Sequence, residues 1–198
     1  MMDYNSLLGK TASEIKPSGI RKYFDIAATL DDVISLGIGE PDFYTPWPIR
    51  RAAILALERG KTVYTANAGL IKLRKTISEY TAARTGVEYD PAKEIIVTVG
   101  GSEAIDLTVR TLVEPGDEVI IPEPSFVCYK PIVMLAGGTP VIIETKAEDN
   151  FKLMPEALKA AITPRTKLLV LPFPNNPTGA IMTREDLEPI AEILRGTN

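Results

Sequence analysis

Asn176-Pro177-Thr178-Gly179 follows the apolar run Thr166 to Leu171 and a pair of prolines, Pro172 and Pro174. The pattern predicts a strand that ends, turns, and gives way to a helix near Thr183. It places an Asn side chain at the carboxyl end of a strand, the edge where open α/β sheets hold ligands. An amide there offers a donor and an acceptor on a short stem. An ordinary Asn-Pro turn is the plainer reading of the same residues. A second strand-to-helix junction is Val99-Gly100-Gly101-Ser102-Glu103-Ala104. Glycines let a ligand approach the backbone. The first N–H groups of a helix lack internal acceptors and lie at the positive end of its dipole, which suits a phosphate. Simple N-capping by Ser102 accounts for that stretch equally well. Gly-Lys-Ser/Thr does not follow, and the three-glycine dinucleotide fingerprint is absent, so ATP and NAD are poorly supported. A third junction, Pro122-Glu123-Pro124-Ser125-Phe126, sets an aromatic ring after a strand, either to stack on a planar ligand or to pack in the core.

A phosphate cradle, an aromatic plate and an amide together describe a small, flat, phosphorylated ligand, and pyridoxal 5′-phosphate meets that description. The elements that must hold these residues alternate. Strands are expected at Ile95–Val99, Glu118–Ile121, Val141–Glu144 and Leu168–Leu171. Helices are expected at Ser102–Val113, at about Ser125–Leu135 with a disturbance at Pro131, and at Pro155–Ala161. That alternation argues for an α/β fold with a mostly parallel sheet and helices on both faces. Upstream, a helix is expected from Ser18 to about Leu30, then a short extended piece from Val33 to Ile38. Another helix runs from Pro46 or Pro48 to Glu58, capped by Gly60. A further one runs from Leu70 to Thr85 with Leu70, Leu73, Ile77 and Tyr80 on one face, ended by Gly86. Residues 1–45 read as an arm, and 46–198 as the first part of the main domain.

The 198 residues are 45% hydrophobic, with a net charge of −4. No basic cluster invites nucleic acid, and no apolar run reaches membrane-spanning length. Cys128 is the only cysteine, so no internal disulfide forms, which fits a reducing cytoplasm. Histidine is absent, which removes Ser-His-Asp and Cys-His catalysis and most zinc sites within these residues.

Four ordered segments carry a resemblance: Ile38-Gly39-Glu40-Pro41-Asp42-Phe43, Tyr64-Thr65-Ala66-Asn67-Ala68-Gly69, Gly100-Gly101-Ser102-Glu103-Ala104-Ile105, and Asn175-Asn176-Pro177-Thr178-Gly179. In order and spacing the chain resembles the N-terminal half of a class I/II aminotransferase, of the pyridoxal-phosphate fold type I. The resemblance implies part of that fold's large domain, a mostly parallel sheet, preceded by an N-terminal helical arm. It implies that Gly39 contacts a substrate carboxylate through its backbone. Tyr64 would reach across a homodimer to the partner's cofactor phosphate. Gly101 and Ser102 would hold the phosphate, with Gly100 shaping the turn. Phe126 would stack on the pyridine ring, where relatives often carry Trp or Tyr. Asn176 would bond the cofactor's phenolic oxygen and help hold the substrate carboxylate.

The family's Schiff-base lysine, its Asp on the pyridine nitrogen, a further Tyr and its Arg residues would lie beyond Asn198. Lys130 and Lys167 do not occupy the lysine position, so no catalytic residue is assigned here. The resemblance also sets the first strand at a sheet edge, separated from the other three by later strands. These residues are therefore expected to be a piece of a longer enzyme, inactive and not independently stable alone. The reaction implied is amino transfer between an amino acid and a 2-oxo acid, generically glutamate with an oxo acid. Another fold type I enzyme (a β-lyase, decarboxylase or synthase) and a non-catalytic half-domain that binds a phosphate ligand or a protein remain open.

Overall fold

The protein is described here from a computed structural model, covering residues 4–16, 19–27, 29–34, 39 and 41–197. Contacts divide the chain into two units, Met1–Pro17 with Val99–Asn198, and Ser18–Thr98.

The first unit is built on three parallel strands, β1 (Glu118–Glu123), β2 (Thr139–Glu144) and β3 (Thr166–Leu169), in the order β2-β1-β3. In the central strand residues 119–122 form an apolar run, which suits a strand covered on both faces. Side chains alternate across a strand, so Val119 and Ile121 join one cluster and Ile120 the other. On one side Val119 and Ile121 pack with Val109 of α5 (Gly101–Leu112), Val113, and Ile132 and Val133 of α6 (Tyr129–Leu135). On the other side Ile120 and Ile143 pack with Leu153, Leu158 of α7 (Pro155–Ala161) and Ile190 of α8 (Arg184–Leu194). Full burial of side chains of this size contributes roughly 1.5–3 kcal/mol each.

Local chemistry fixes the ends. Gly138 passes so close to α5 and α6 that a Cβ there would lie 2.5 Å from Val113 Cγ1 and 3.2 Å from Val133 Cγ1. The buried Glu118 accepts hydrogen bonds from Thr163 Oγ1 (2.6 Å) and Arg165 (2.5 Å), tying the start of β3 to β1. The Thr163 hydroxyl, followed by Arg165, holds the Glu118 carboxyl below its ordinary range against the opposing effect of burial. Helix α8 opens with a capping box of Thr183 and Asp186, and Lys152 Nζ bonds Asp186 Oδ2 at 2.7 Å.

The remaining helices are α1 (Lys10–Glu14), which belongs to the first unit, and α2 (Ile20–Ala27), α3 (Trp47–Glu58) and α4 (Ile71–Thr85) of the second. Helix α3 closes in a Schellman motif, with Gly60 N donating to Leu57 O and Lys61 N to Ala56 O. Helix α4 stops at the left-handed Gly86.

Several sequence expectations are corrected. Ile95–Val99 forms no strand. Its β-branched composition fits a strand, but a strand needs a partner, and among the described residues none pairs with it. Helix α6 begins at Tyr129 rather than near Ser125, and Pro131 does not disturb it. Pro131 is the third helical residue, where the missing N–H has no intrahelical acceptor to lose. Helix α4 does stand where the spacing predicts it, with Leu70 as its cap; its buried side chain is Arg74, while Leu70, Leu73 and Tyr80 are exposed. The Ser18–Leu30 helix is found over Ile20–Ala27, and Ser18 lies outside the described residues. Val33 and Ile34 are not in a strand, and residues 35–38 of that expected piece also lie outside the described residues.

Candidate functional site

Because all three strands run the same way, the segments leaving β1 and β3 emerge at one edge of the sheet. The turn after β3 closes on itself through Asn175 N to Ala180 O (2.9 Å) and Gly179 N to Asn175 O (2.8 Å). It is joined to the loop after β1 by Asn175 Nδ2, which donates to Pro124 O at 2.9 Å. Asn176, next in the chain, is exposed, whereas Asn175 is 95% buried, at 5% exposure. Asn175 Oδ1 is buried with no hydrogen-bond donor among the described residues. Turning the amide over would set two oxygens against each other at Pro124, so Nδ2 must face that carbonyl. An acceptor buried without a donor costs about 1–3 kcal/mol, which a donor supplied by a ligand would recover.

Helix α5 starts at Gly101, one residue before the expected start, because Gly100 takes φ of 82° and serves as the cap. No side chain caps the helix, so the reading of Ser102 as N-cap is corrected. Instead the Glu103 carboxylate reaches back to accept the Val99 N–H. Gly101 is informative for what it does not need. Its φ lies outside the left-handed region, and a Cβ added there meets no atom within 4 Å. Neither backbone strain nor packing among the described residues calls for a glycine. A Cβ would only occupy the open space beside the helix's first N–H groups, where an anion would sit.

Cys128, in the segment after β1, is half-buried, and burial pushes its thiol up although the Ser102 side chain at the start of α5 lowers it. Burial likewise raises the Tyr129 phenol, with Cys128 adding to it. Tyr129 meets Phe126 edge to face, with ring centroids 6.0 Å apart and planes at 83°. Phe126 is 37% exposed and lines a cleft of 630 Å³ together with Ile121, Glu123, Lys130, Ile15 and Lys16. Gly101, Ser102 and Asn176 do not line that cleft. The structure thus ties the turn that bears Asn176 to the loop that bears Phe126 through Asn175. The Asn175-Asn176 pair was visible as a motif, but two adjacent asparagines carry no mark of which one turns inward.

Gly39 and Tyr64 belong to the second unit. Gly39 is exposed, and its neighbours Ile38 and Glu40 lie outside the described residues. Tyr64 is fully exposed. The segment that carries it is anchored at Gly69, whose carbonyl accepts from Arg74 Nε at 3.1 Å, and at Ala68, whose carbonyl accepts from Val97 N at 3.0 Å. Arg74 Nη1 also donates to Pro91 O (2.7 Å) and Ala92 O (3.2 Å).

Comparison with known proteins gives a consistent result. Residues 31–198 match the family described as aminotransferase class I and II. A Bacillus subtilis (strain 168) relative, YugH, is 52% identical over 190 residues, 96% of this chain and 49% of its own. The aspartate aminotransferase of Pyrococcus abyssi is 48% identical over 178 residues, 90% of this chain and 46% of its own. Among solved structures, the aspartate aminotransferase from Rhizobium meliloti matches with a TM-score of 0.88 at 39% identity, over 94% of this chain and 48% of that one. The chain spans about half the length of the curated relatives it matches.

Proposed function

The chain belongs to the class I and II aminotransferase family, and on that premise we propose that the protein carrying it moves an amino group between an amino acid and a 2-oxo acid, using pyridoxal 5′-phosphate. The observation that carries this reading is the family match over residues 31–198, and the Gly100-Gly101-Ser102 start of a twelve-residue helix suits a phosphate. The residues present fit the cofactor. A phosphate suits the start of α5, a flat ring suits Phe126, and an unpaired buried acceptor lies in the turn that bears Asn176.

When bound, the cofactor supplies the electron sink that makes loss of the substrate α-proton feasible. The work left to this chain is holding and orienting. The first amides of α5 and the Ser102 hydroxyl would bind the phosphate, and the helix dipole would favour its charge. Phe126 would cover one face of the ring and keep water off it. Asn176 would donate to the phenolic oxygen and steady a substrate carboxylate, with Gly39 N–H as a second donor to that carboxylate. Tyr64, exposed on an anchored segment, suits a contact outside its own unit, and we assign it to the cofactor phosphate of a partner subunit in a homodimer. The substrates would be glutamate or another amino acid with a 2-oxo acid, and the setting the cytoplasm. Among the described residues no helix is long and apolar enough to cross a membrane.

The test is cofactor uptake by the natural protein. Titration with pyridoxal 5′-phosphate should give one site per chain and a visible absorbance band that glutamate shifts. No saturable uptake would refute the proposal. Uptake with release of ammonia or carbon dioxide would reassign the chemistry to another reaction of the same cofactor.

A further inference from the structure

Asn175 holds together two groups that the proposed cofactor site needs apart from itself. Its side-chain nitrogen bonds the Pro124 carbonyl, two residues before Phe126. Its backbone nitrogen and oxygen close the turn that presents Asn176. Asn175 is 95% buried, and its bond to the exposed Pro124 is part-buried. Apolar filler would occupy the same space without leaving Oδ1 unpaired. What the amide provides in return is a fixed distance between the loop after β1 and the turn after β3.

We propose that Asn175 is a positioning residue, which sets the Asn176 amide and the Phe126 ring relative to each other so that both engage one ligand. It acts through its neighbours and need not touch the ligand. The inference deepens the cofactor reading above and rests on it. An Asn in this place is short enough to span the gap rigidly, and Nδ2 is the only donor on the side chain.

The experiment uses the natural protein and its Asn175→Asp and Asn175→Ser variants. Asp keeps the shape but, when ionised, has no donor for Pro124 O. Ser keeps a donor on a shorter stem. Two readouts are taken: amide hydrogen exchange over residues 124–127 and 176–180 without cofactor, and pyridoxal 5′-phosphate affinity with the absorbance maximum of the bound form. In the Asp variant both segments should exchange at least tenfold faster. Affinity should fall tenfold or more, and the absorbance maximum should move, because the phenolic oxygen loses a well-placed neighbour. The Ser variant should show the same changes at smaller size, and it serves as the measurable case if Asp prevents folding. Unchanged exchange in both variants overturns the inference. Faster exchange with unaltered affinity and absorbance also overturns it, since Asn175 would then be structural only. If the unsubstituted protein takes up no cofactor, the proposed function falls, while the exchange data still decide whether Asn175 couples the two segments.

Discussion

Gly69 lies against Val97 so closely that a Cβ on Gly69 would stand 2.7 Å from Val97 Cβ. With φ of 95°, Gly69 is also in backbone territory that other residues occupy only under strain. The contact, with the Val97 N to Ala68 O bond beside it, locks the segment bearing Tyr64 to the residues leading toward the Gly100 loop. Gly69→Ala should destabilise the protein by roughly 1–3 kcal/mol through overpacking and backbone strain. In the double variant Gly69→Ala/Val97→Gly, which removes the Val97 Cβ, the steric part should be recovered and the backbone part should remain. Denaturant unfolding of the four members of that cycle measures both.

Arg74 is a buried residue whose guanidinium donates to the carbonyl oxygens of Gly69, Pro91 and Ala92. Replacing it with Met keeps the stem and leaves those three oxygens short of a donor. A loss of about 3 kcal/mol is expected, since each buried acceptor left unpaired costs about 1–3 kcal/mol. Amide exchange should rise first over residues 91–97. Lysine should restore only part of the loss, because one ammonium cannot copy the fork of a guanidinium.

Asp186 carries a pH signature. The hydrogen bond from Lys152, then that from the Thr183 backbone, lowers its carboxyl from 3.8 to about 2. A carboxyl depressed in the folded state binds its proton more readily when unfolded, so its stabilising effect is complete above the ordinary value and fades as pH falls. Asp186→Asn keeps an acceptor for the helix cap but loses the ion pair. The stability gap between the protein and this variant should therefore be constant above about pH 5 and close between about pH 4 and pH 2. The pair is partly exposed, so added salt should narrow the gap as well. Thermal melts across that range check both.

Two glycines should respond oppositely to alanine. Gly138→Ala pushes a methyl into Val113 and Val133 and should cost roughly 1–3 kcal/mol of stability without a specific effect on ligand affinity. Gly101→Ala meets open space and should leave stability within about 1 kcal/mol. It should nonetheless weaken pyridoxal 5′-phosphate binding tenfold or more. Equal effects of the two substitutions on affinity would remove the argument that Gly101 is kept clear for a ligand.

Where the governing interaction is local, the sequence announces it. Pro155–Ala161 is helical to the residue expected, and the turn at Asn175–Gly179 and the helix after Thr183 stand where the punctuation of Pro, Gly and Thr put them. The Gly100-Gly101 junction is equally visible, though the cap is Gly100 rather than Ser102. Non-local terms were hidden. Ile95–Val99 has strand composition, but pairing depends on a neighbour that composition does not name. Arg74 is a charged residue on a helix, for which solvent exposure is the ordinary expectation, and its burial goes with bonds to the carbonyls of Gly69, Pro91 and Ala92. The same holds for Asn175, whose role depends on a proline fifty-one residues away.

The most direct test of the aminotransferase reading follows the nitrogen itself. The natural protein, loaded with pyridoxal 5′-phosphate, is given ¹⁵N-labelled glutamate and an unlabelled 2-oxo acid, and the products are read by mass spectrometry. The predicted result is label in the new amino acid with 2-oxoglutarate formed in equal amount, and loss of both in Asn176→Ala. Cofactor bound at full occupancy with no label transferred to any of a panel of 2-oxo acids would contradict it.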